Sequence, residues 1–143
     1  MDNLINQGFK PLINDNSEIL ILGSFPSVKS RQNNFYYGNP QNRLWKVLAE
    51  YFKENTPKSI EEKIELCKKH KVALWDVVVS SNINGSSDDK LEKSDIEIAD
   101  LHGLLKKFTC IKRILCNGKL AYNLYLKYFS DIKIEVLYMP STS

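Results

Sequence analysis

The chain has 143 residues, of which 43% are hydrophobic and 26% are charged, and it contains only 6 Gly and 5 Pro. This composition excludes a disordered or collagen-like chain, and the length is sufficient for one globular domain with its own core. The net charge of +3 permits nucleic-acid binding without indicating it. No apolar run approaches the length of a membrane span, and Met1 leads into polar residues, so we expect a cytoplasmic protein without membrane attachment.

The cysteine and histidine residues form no recognisable metal-binding or nucleophilic pattern. Cys67, Cys110 and Cys116 are scattered, and no two Cys or His residues lie at ligand spacing. His70 and His102 do not stand where they could serve as the base for a nucleophilic serine. Neither a phosphate loop nor a GxGxxG motif follows the first predicted strand. We therefore expect no metal and no cofactor, and phosphoryl or hydride transfer is disfavoured.

Apolar segments with strand character alternate with amphipathic segments along the chain. In chain order, the predicted elements are a strand at 19–22, helices at 44–52 and 60–67, a strand from 72 through Asp76 to 79, a helix at 98–108, a strand at 113–116, a helix at 120–129 and a strand at 134–138. Ser59 and Glu62 form a capping box at the start of the second helix. This alternation predicts a single three-layer α/β domain with a four-stranded parallel sheet flanked by helices.

In two stretches, residues 26–42 and 80–95, the apolar residues have no regular spacing of the kind that predicts a helix or a strand. Each stretch follows the carboxyl end of a predicted strand. Open α/β sheets bind their ligands at this edge, and long loops in compact domains are usually functional. The first stretch is rich in aromatic and amide side chains. The alternative interpretation is an irregular surface loop whose aromatic side chains cover the edge of the sheet.

Short motifs at these strand ends resemble the hypoxanthine-DNA glycosylase group of the uracil-DNA glycosylase superfamily. The motifs are Gly-Ser-Phe-Pro-Ser at 23–27, Tyr-Tyr-Gly-Asn-Pro-Gln-Asn-Arg-Leu-Trp at 36–45, Leu-Trp-Asp-Val at 74–77, Gly-Ser-Ser-Asp at 85–88, Cys-Asn-Gly-Lys-Leu-Ala at 116–121 and Pro-Ser-Thr-Ser at 140–143. The resemblance implies a monomeric, metal-independent glycosylase that hydrolyses the N-glycosidic bond of a deaminated base in double-stranded DNA. Hypoxanthine is the favoured base and uracil the second.

The resemblance also implies which residue assists the attacking water. Phe25 stands where other branches of the superfamily carry an Asp or Asn, and a phenyl ring cannot position water. The resembled group relies on the asparagine that precedes its next helix, which is Asn42 here, and Asn39 beside Pro40 is the second candidate. The structural alternatives are an N-cap role for Asn42 and a turn role for Asn39.

The base-binding residues implied by the resemblance come from three motifs. Tyr37 matches the aromatic residue that stacks on the base, and the backbone groups of Ser24 and Phe25 would contact the base edge. Asp76, at the end of the second predicted strand, is a candidate hydrogen-bond partner for the base. A packed loop tyrosine and a turn-capping aspartate are the alternatives for Tyr37 and Asp76.

The start of the helix after the third predicted strand is a candidate phosphate site, because a helix N-terminus binds phosphate. The resemblance implies that the last motif of the chain also contacts the DNA backbone, beside the extruded nucleotide. The expected contacts are Asn117, Lys119, Pro140, Ser141, Thr142 and Ser143. Since the family pattern continues beyond this point, we expect residues 1–143 to form one glycosylase-like domain without the family's C-terminal segment. The rival functions are a non-catalytic nucleic-acid-binding module of the same fold and a small-molecule α/β hydrolase.

Overall fold

A computed structural model describes residues 6–25, 28–81 and 96–143 of the chain. The strands are β1 (Asn6–Gln7), β2 (Ile19–Gly23), β3 (Val72–Asp76), β4 (Val78–Ser81), β5 (Ile96–Ile98), β6 (Arg113–Asn117) and β7 (Glu135–Met139). The helices are α1 (Val28–Gln32), α2 (Leu44–Phe52), α3 (Ile60–Lys69), α4 (Leu101–Lys107) and α5 (Lys119–Phe129). The motif at 85–88 and the end of the motif at 23–27 lie outside the described residues.

The main sheet has four parallel strands in the order β3, β2, β6, β7, which confirms the predicted sheet and fold class. Its inner strand β2 is buried on both faces, with Leu20, Ile21 and Leu22 at most 1% exposed. Parallel strands require this burial because crossover helices cover the sheet. Helix α3 packs against β3, and α5 packs against β6 and β7.

The register of the sheet aligns the carboxyl ends of its strands. Gly23 lies opposite Asp76, and Asn117 lies opposite Met139. The same alignment pairs Leu22 with both Trp75 and Cys116 in the central strands. Four separate sequence motifs therefore end at one edge of the sheet.

A second sheet, which the sequence analysis did not predict, has antiparallel strands in the order β1, β4, β5. Residues 77–79 were expected to continue the strand before them, but β4 leaves the main sheet. The chain turns after Asp76 because Val77 N and Val78 N donate to Gly23 O and Ser24 O, at 2.8 and 2.9 Å. A run of valines is compatible with either sheet, so the composition of the run does not mark the turn.

The helices follow the prediction closely except at the start of α4. The predicted helix at 98–108 is wrong at its beginning, where Ile98 belongs to β5. Asp100 Oδ1 accepts a hydrogen bond from Gly103 N at 3.0 Å, so the helix begins after this cap. At α3 the expected cap is present, since Ser59 Oγ accepts from Glu62 N at 3.1 Å. Within the described ranges, no helix is long and apolar enough to span a membrane.

Candidate active site

A cleft of about 460 Å³ opens at the carboxyl edge of the main sheet. It lies where the aligned strand ends meet the loop before α2 and the start of α5. Its lining residues are Gly23, Ser24, Phe25, Ser30, Tyr36, Tyr37, Asn42, Asp76, Asn117, Gly118, Lys119, Leu120, Ala121, Tyr138, Ser141, Thr142 and Ser143. Open α/β sheets bind ligands at this location.

Most of the residues singled out in the sequence line this cleft. The exceptions are Asn39 and Pro140, which do not belong to its lining. Asn39 Oδ1 accepts a hydrogen bond from Gln41 N at 3.0 Å, and Asn39 O accepts from Asn42 N at 2.8 Å. Asn39 therefore has the turn-forming contacts that were the alternative to a catalytic role. Of the two candidates for positioning water, Asn42 is the one that lines the cleft.

Thr142 links three distant parts of the chain. Its hydroxyl donates to Asn42 Oδ1 at 2.8 Å and accepts from Asn117 Nδ2 at 3.0 Å. The backbone of Thr142 repeats both links, because its N–H donates to Asn117 Oδ1 at 3.1 Å and its carbonyl accepts from Arg43 N at 2.8 Å. Thr142 is 5% exposed, so these bonds are shielded from water. They join the last motif of the chain to the start of α2 and the end of β6.

The orientation of the Asn42 amide follows from its partners. Oδ1 accepts from Leu44 N at 2.9 Å as well as from Thr142, and a backbone N–H can only donate. This contact satisfies an N–H at the start of α2, but Asn42 is not the N-cap that the alternative proposed, because Arg43 occupies the N-cap position. Oδ1 thus has two donors already, whereas the Asn42 Nδ2 group makes no hydrogen bond with the described residues. Asn42 presents a donor to a ligand in the cleft.

Gly23 allows two polar groups to meet at the floor of the cleft. A Cβ atom at this position would lie 2.5 Å from Asp76 Oδ1 and 3.0 Å from the Tyr37 hydroxyl. The first distance is far below van der Waals contact, so any larger residue here would force the Asp76 side chain to move. Tyr37 itself has a left-handed backbone with φ of 51°, a conformation that is rare for a bulky side chain. Such backbone strain is concentrated at functional sites.

The Asp76 carboxyl and the Tyr37 hydroxyl are buried without a hydrogen-bond partner for Asp76 Oδ2 or for the Tyr37 oxygen among the described residues. Asp76 is 5% exposed, and its Oδ2 atom is buried without a hydrogen bond. Burial raises the pKa of the Asp76 carboxyl to about 7. The buried Tyr37 hydroxyl also makes no well-aligned hydrogen bond among the described residues. Burial and the nearby Asp76 charge raise the pKa of Tyr37, and the Asn117 amide opposes this effect.

Phe25 forms an apolar wall of the cleft and is 6% exposed. The guanidinium carbon of Arg31 lies 5.2 Å from the centre of its ring, within the range of a cation–π contact. No polar atom of the Phe25 side chain is available to hold water. The Phe25 side chain therefore contributes only apolar surface to the cleft.

Sequence reasoning missed Tyr36, which is buried beneath the loop before α2. Its hydroxyl donates to Lys10 O at 2.6 Å, and its carbonyl accepts from Trp45 Nε1 at 3.1 Å. The two adjacent tyrosines indicated an aromatic site in the sequence. Which of the two rings is buried and which lines the cleft floor depends on the left-handed backbone at Tyr37, which the sequence does not reveal. Tyr138 was also missed and is a half-exposed side chain that packs edge-on against Tyr122.

Among the described residues, no group of three or more His, Cys, Asp or Glu side chains could hold a metal ion. The fold and the cleft together define an α/β protein whose ligand site is built from amide, hydroxyl, carboxyl and aromatic groups. Comparison with known proteins makes the identification specific. The family model of the Uracil DNA glycosylase superfamily matches residues 10–143, and the chain belongs to this superfamily.

Similar proteins bear the names of DNA glycosylases. Hypoxanthine DNA glycosylase from Methanosarcina acetivorans is 35% identical over 98% of this chain and 87% of its own length. The protein of the same name from Methanosarcina barkeri is 37% identical over 79% of this chain and 71% of its own. A solution NMR structure of a candidate uracil DNA glycosylase from M. acetivorans superimposes with a TM-score of 0.85 over 98% of this chain and 86% of that one, at 35% identity. The predicted family and DNA glycosylase class are confirmed.

The Thr142 hydroxyl should stabilise the fold measurably. Thr142→Val keeps the shape of the side chain but leaves the partly buried Asn117 Nδ2 group without its acceptor, so we expect the free energy of unfolding to fall by about 1–3 kcal/mol. Thr142→Ser keeps the hydroxyl and loses one methyl group, at a cost of about 1 kcal/mol. Urea unfolding followed by tryptophan fluorescence compares the two variants. Equal losses would contradict the importance of the hydroxyl.

The raised pKa of Asp76 predicts a stability change with pH. The folded state holds the Asp76 proton more tightly than the unfolded state, so stability is lost as pH rises from the ordinary value of 3.8 through about 7. Between pH 5 and 8 the loss from this group is roughly 3 kcal/mol. Asp76→Asn has no such proton and should remove that loss. Urea unfolding at both pH values tests this, and parallel changes in the two proteins would refute it.

Proposed function

We propose that this protein removes hypoxanthine from double-stranded DNA. The observation that carries the proposal is the convergence of five family motifs on one cleft at the carboxyl edge of the sheet. The names of the two Methanosarcina relatives support hypoxanthine as the base. We further propose that the protein acts as a monomer in the cytoplasm.

The reaction is hydrolysis of the bond between the sugar and the base. The bond breaks with its electron pair going to the base, the sugar develops oxocarbenium character, and a water oxygen bonds to the sugar carbon. An enzyme can assist by placing the water, by stabilising the departing base and by excluding bulk solvent. Amide, hydroxyl and aromatic groups can perform these tasks. The cleft offers such groups on every side.

Asn42 is our first candidate for placing the water, and Asn39 is the second. The free Nδ2 group of Asn42 can donate to a water oxygen and leave one lone pair for attack on the sugar. Its Oδ1 atom is occupied by Leu44 N and Thr142, so Asn42 positions the water and does not deprotonate it. Asn39 could act only if its side chain left the turn with Gln41.

The base would enter between the aromatic wall and the floor of the cleft. Tyr37 supplies a ring face for stacking, and Ser24 and Phe25 supply backbone groups beside it. Asp76 lies at the floor, where it can contact the polar edge of the base. Extrusion of a base costs a few kcal/mol and is least costly at a mispair, which favours a deaminated base over a normal one.

The DNA backbone would contact the rim of the cleft. Lys119 is exposed at the start of α5, and the exposed Ser141 and Ser143 hydroxyls lie 2.7 Å apart. These groups can bind phosphate oxygens, with Pro140 beside them. Thr142 and Asn117 are engaged with each other, so we propose that they hold this rim in place.

An excision assay tests the proposal. Duplexes that contain one inosine or one uracil are incubated with the protein, and abasic sites are cleaved with alkali. We expect release of hypoxanthine first and uracil second. An undamaged duplex is the control. Binding without any abasic product would indicate the non-catalytic alternative, and hydrolysis of free nucleosides only would indicate a small-molecule hydrolase.

Asn42 variants separate catalysis from helix capping. Asn42→Asp keeps an acceptor for Leu44 N but loses the donor, and Asn42→Ala loses both. We expect each to slow hypoxanthine excision about 100-fold or more, whereas only Asn42→Ala lowers the free energy of unfolding, by no more than about 2 kcal/mol. Asn39→Ala is the matched comparison. Loss of activity in Asn39→Ala together with an active Asn42→Ala would move the role to Asn39.

A further inference from the structure

Asp76 has no partner in the cleft that would stabilise its charge. It is the one acidic side chain among the described lining residues, and it forms no ion pair or hydrogen bond with the described part of the chain. A buried carboxyl group without donors or cations is stable only when it is neutral or when a ligand supplies the missing partner. Its position therefore points to a ligand with polar atoms at the floor of the cleft.

The groups that surround Asp76 do not change this conclusion. Strand β2 presents only the Gly23 backbone at the closest approach, and the loop before α2 presents the neutral hydroxyl of Tyr37. The nearby Tyr36 hydroxyl is neutral and donates to Lys10 O. The titratable cation of the cleft lining is Lys119, which is exposed and makes no ion pair with Asp76 in the described structure. Burial accordingly favours the protonated carboxyl.

The reaction would be affected differently by the ionised and the protonated form of the Asp76 carboxyl group. As the bond to the sugar breaks, negative charge accumulates on the departing base. A carboxylate at the floor of a poorly solvated cleft would repel this charge, whereas a carboxylic acid can donate a hydrogen bond to it. A deaminated base carries a lactam, with an N–H donor next to a carbonyl acceptor. A carboxylic acid has the complementary pair of groups on one side chain.

We propose that Asp76 binds the lactam edge of the extruded base as a neutral carboxylic acid, with its carbonyl oxygen accepting the lactam N–H and its O–H donating to the lactam carbonyl. This inference rests on the proposed glycosylase function. It assigns Asp76 a specific protonation state and makes it a direct contact of the departing base.

The proposed contact keeps the reaction balanced. The bond between the sugar carbon and the base nitrogen breaks heterolytically, and the electron pair remains on the base. Asp76 retains its proton and stabilises the base through the hydrogen bond. Water supplies the oxygen that bonds to the sugar carbon, and a proton released from that water neutralises the base.

The pH dependence of excision tests the proposal. Single-turnover excision of hypoxanthine is measured between pH 6 and 9 for the unaltered protein and for Asp76→Asn, whose amide is a permanent donor and acceptor. We expect the unaltered protein to slow about tenfold per pH unit above about 7, because one proton is lost. Asp76→Asn should retain activity and vary by no more than about threefold over this range.

Asp131→Asn is the matched control, since Asp131 is an exposed carboxylate that bonds to His102 outside the cleft. It should follow the pH profile of the unaltered protein. Circular dichroism at each pH verifies that all the proteins are folded. An NMR titration of the side-chain carboxyl carbons provides a measurement that needs no variant, and Asp76 should titrate well above the other aspartates.

The possible results distinguish failure of the proposed Asp76 role from failure of the proposed glycosylase function. Excision of hypoxanthine with a flat profile, with a rate that rises with pH, or with parallel profiles for the unaltered protein and Asp76→Asn would overturn the role of Asp76. An Asp76 carboxyl that titrates in the ordinary range of aspartates would also overturn it. Absence of excision at every pH would instead refute the proposed function. A falling profile that Asp76→Asn abolishes would support the proposal.

Discussion

The active cleft depends on the contact between Thr142 and the two asparagines Asn42 and Asn117. Asn117 makes two bonds to Thr142, one to its hydroxyl and one to its backbone N–H. Asn42 accepts from the Thr142 hydroxyl, and the neighbouring Arg43 N–H donates to the Thr142 carbonyl, so several bonds fix the geometry. Because Thr142 is buried, water does not compete for these bonds. These bonds therefore connect the start of α2, the end of β6 and the last motif of the chain at the rim of the cleft.

At the floor of the cleft, in contrast to the rim, polar groups are left without hydrogen-bond partners. Gly23 lets a carboxyl and a phenol approach the end of β2, and the structure leaves both groups without satisfactory partners. Buried polar groups of this kind destabilise a fold, and the left-handed backbone at Tyr37 adds strain. The close-packed β2 and its neighbouring strands offset this cost. Unsatisfied groups at the floor are available to a ligand, and satisfied groups at the rim hold the cleft open.

The parallel sheet, the helix at 120–129 and the cap at Ser59 could be predicted from the sequence because periodicity and capping act locally. The second sheet could not, since a valine run is equally compatible with either sheet and the turn after Asp76 depends on bonds to β2. At the site, the motifs identified most lining residues. The occupied Oδ1 of Asn42 and the isolation of Asp76 depend on partners far away in the chain, so no local pattern reveals them.

The most direct test of the central claim is to map where a damaged duplex binds. Backbone amide NMR signals are followed while an inosine-containing duplex is added, with a matched normal duplex as reference. We expect that the signals that differ between the two duplexes come from Gly23, Tyr37, Asn117 and Thr142. Differences confined to the separate groove at Glu54 and Leu66, beside α3, would contradict it, because the extruded base would then lie outside the strand-end cleft.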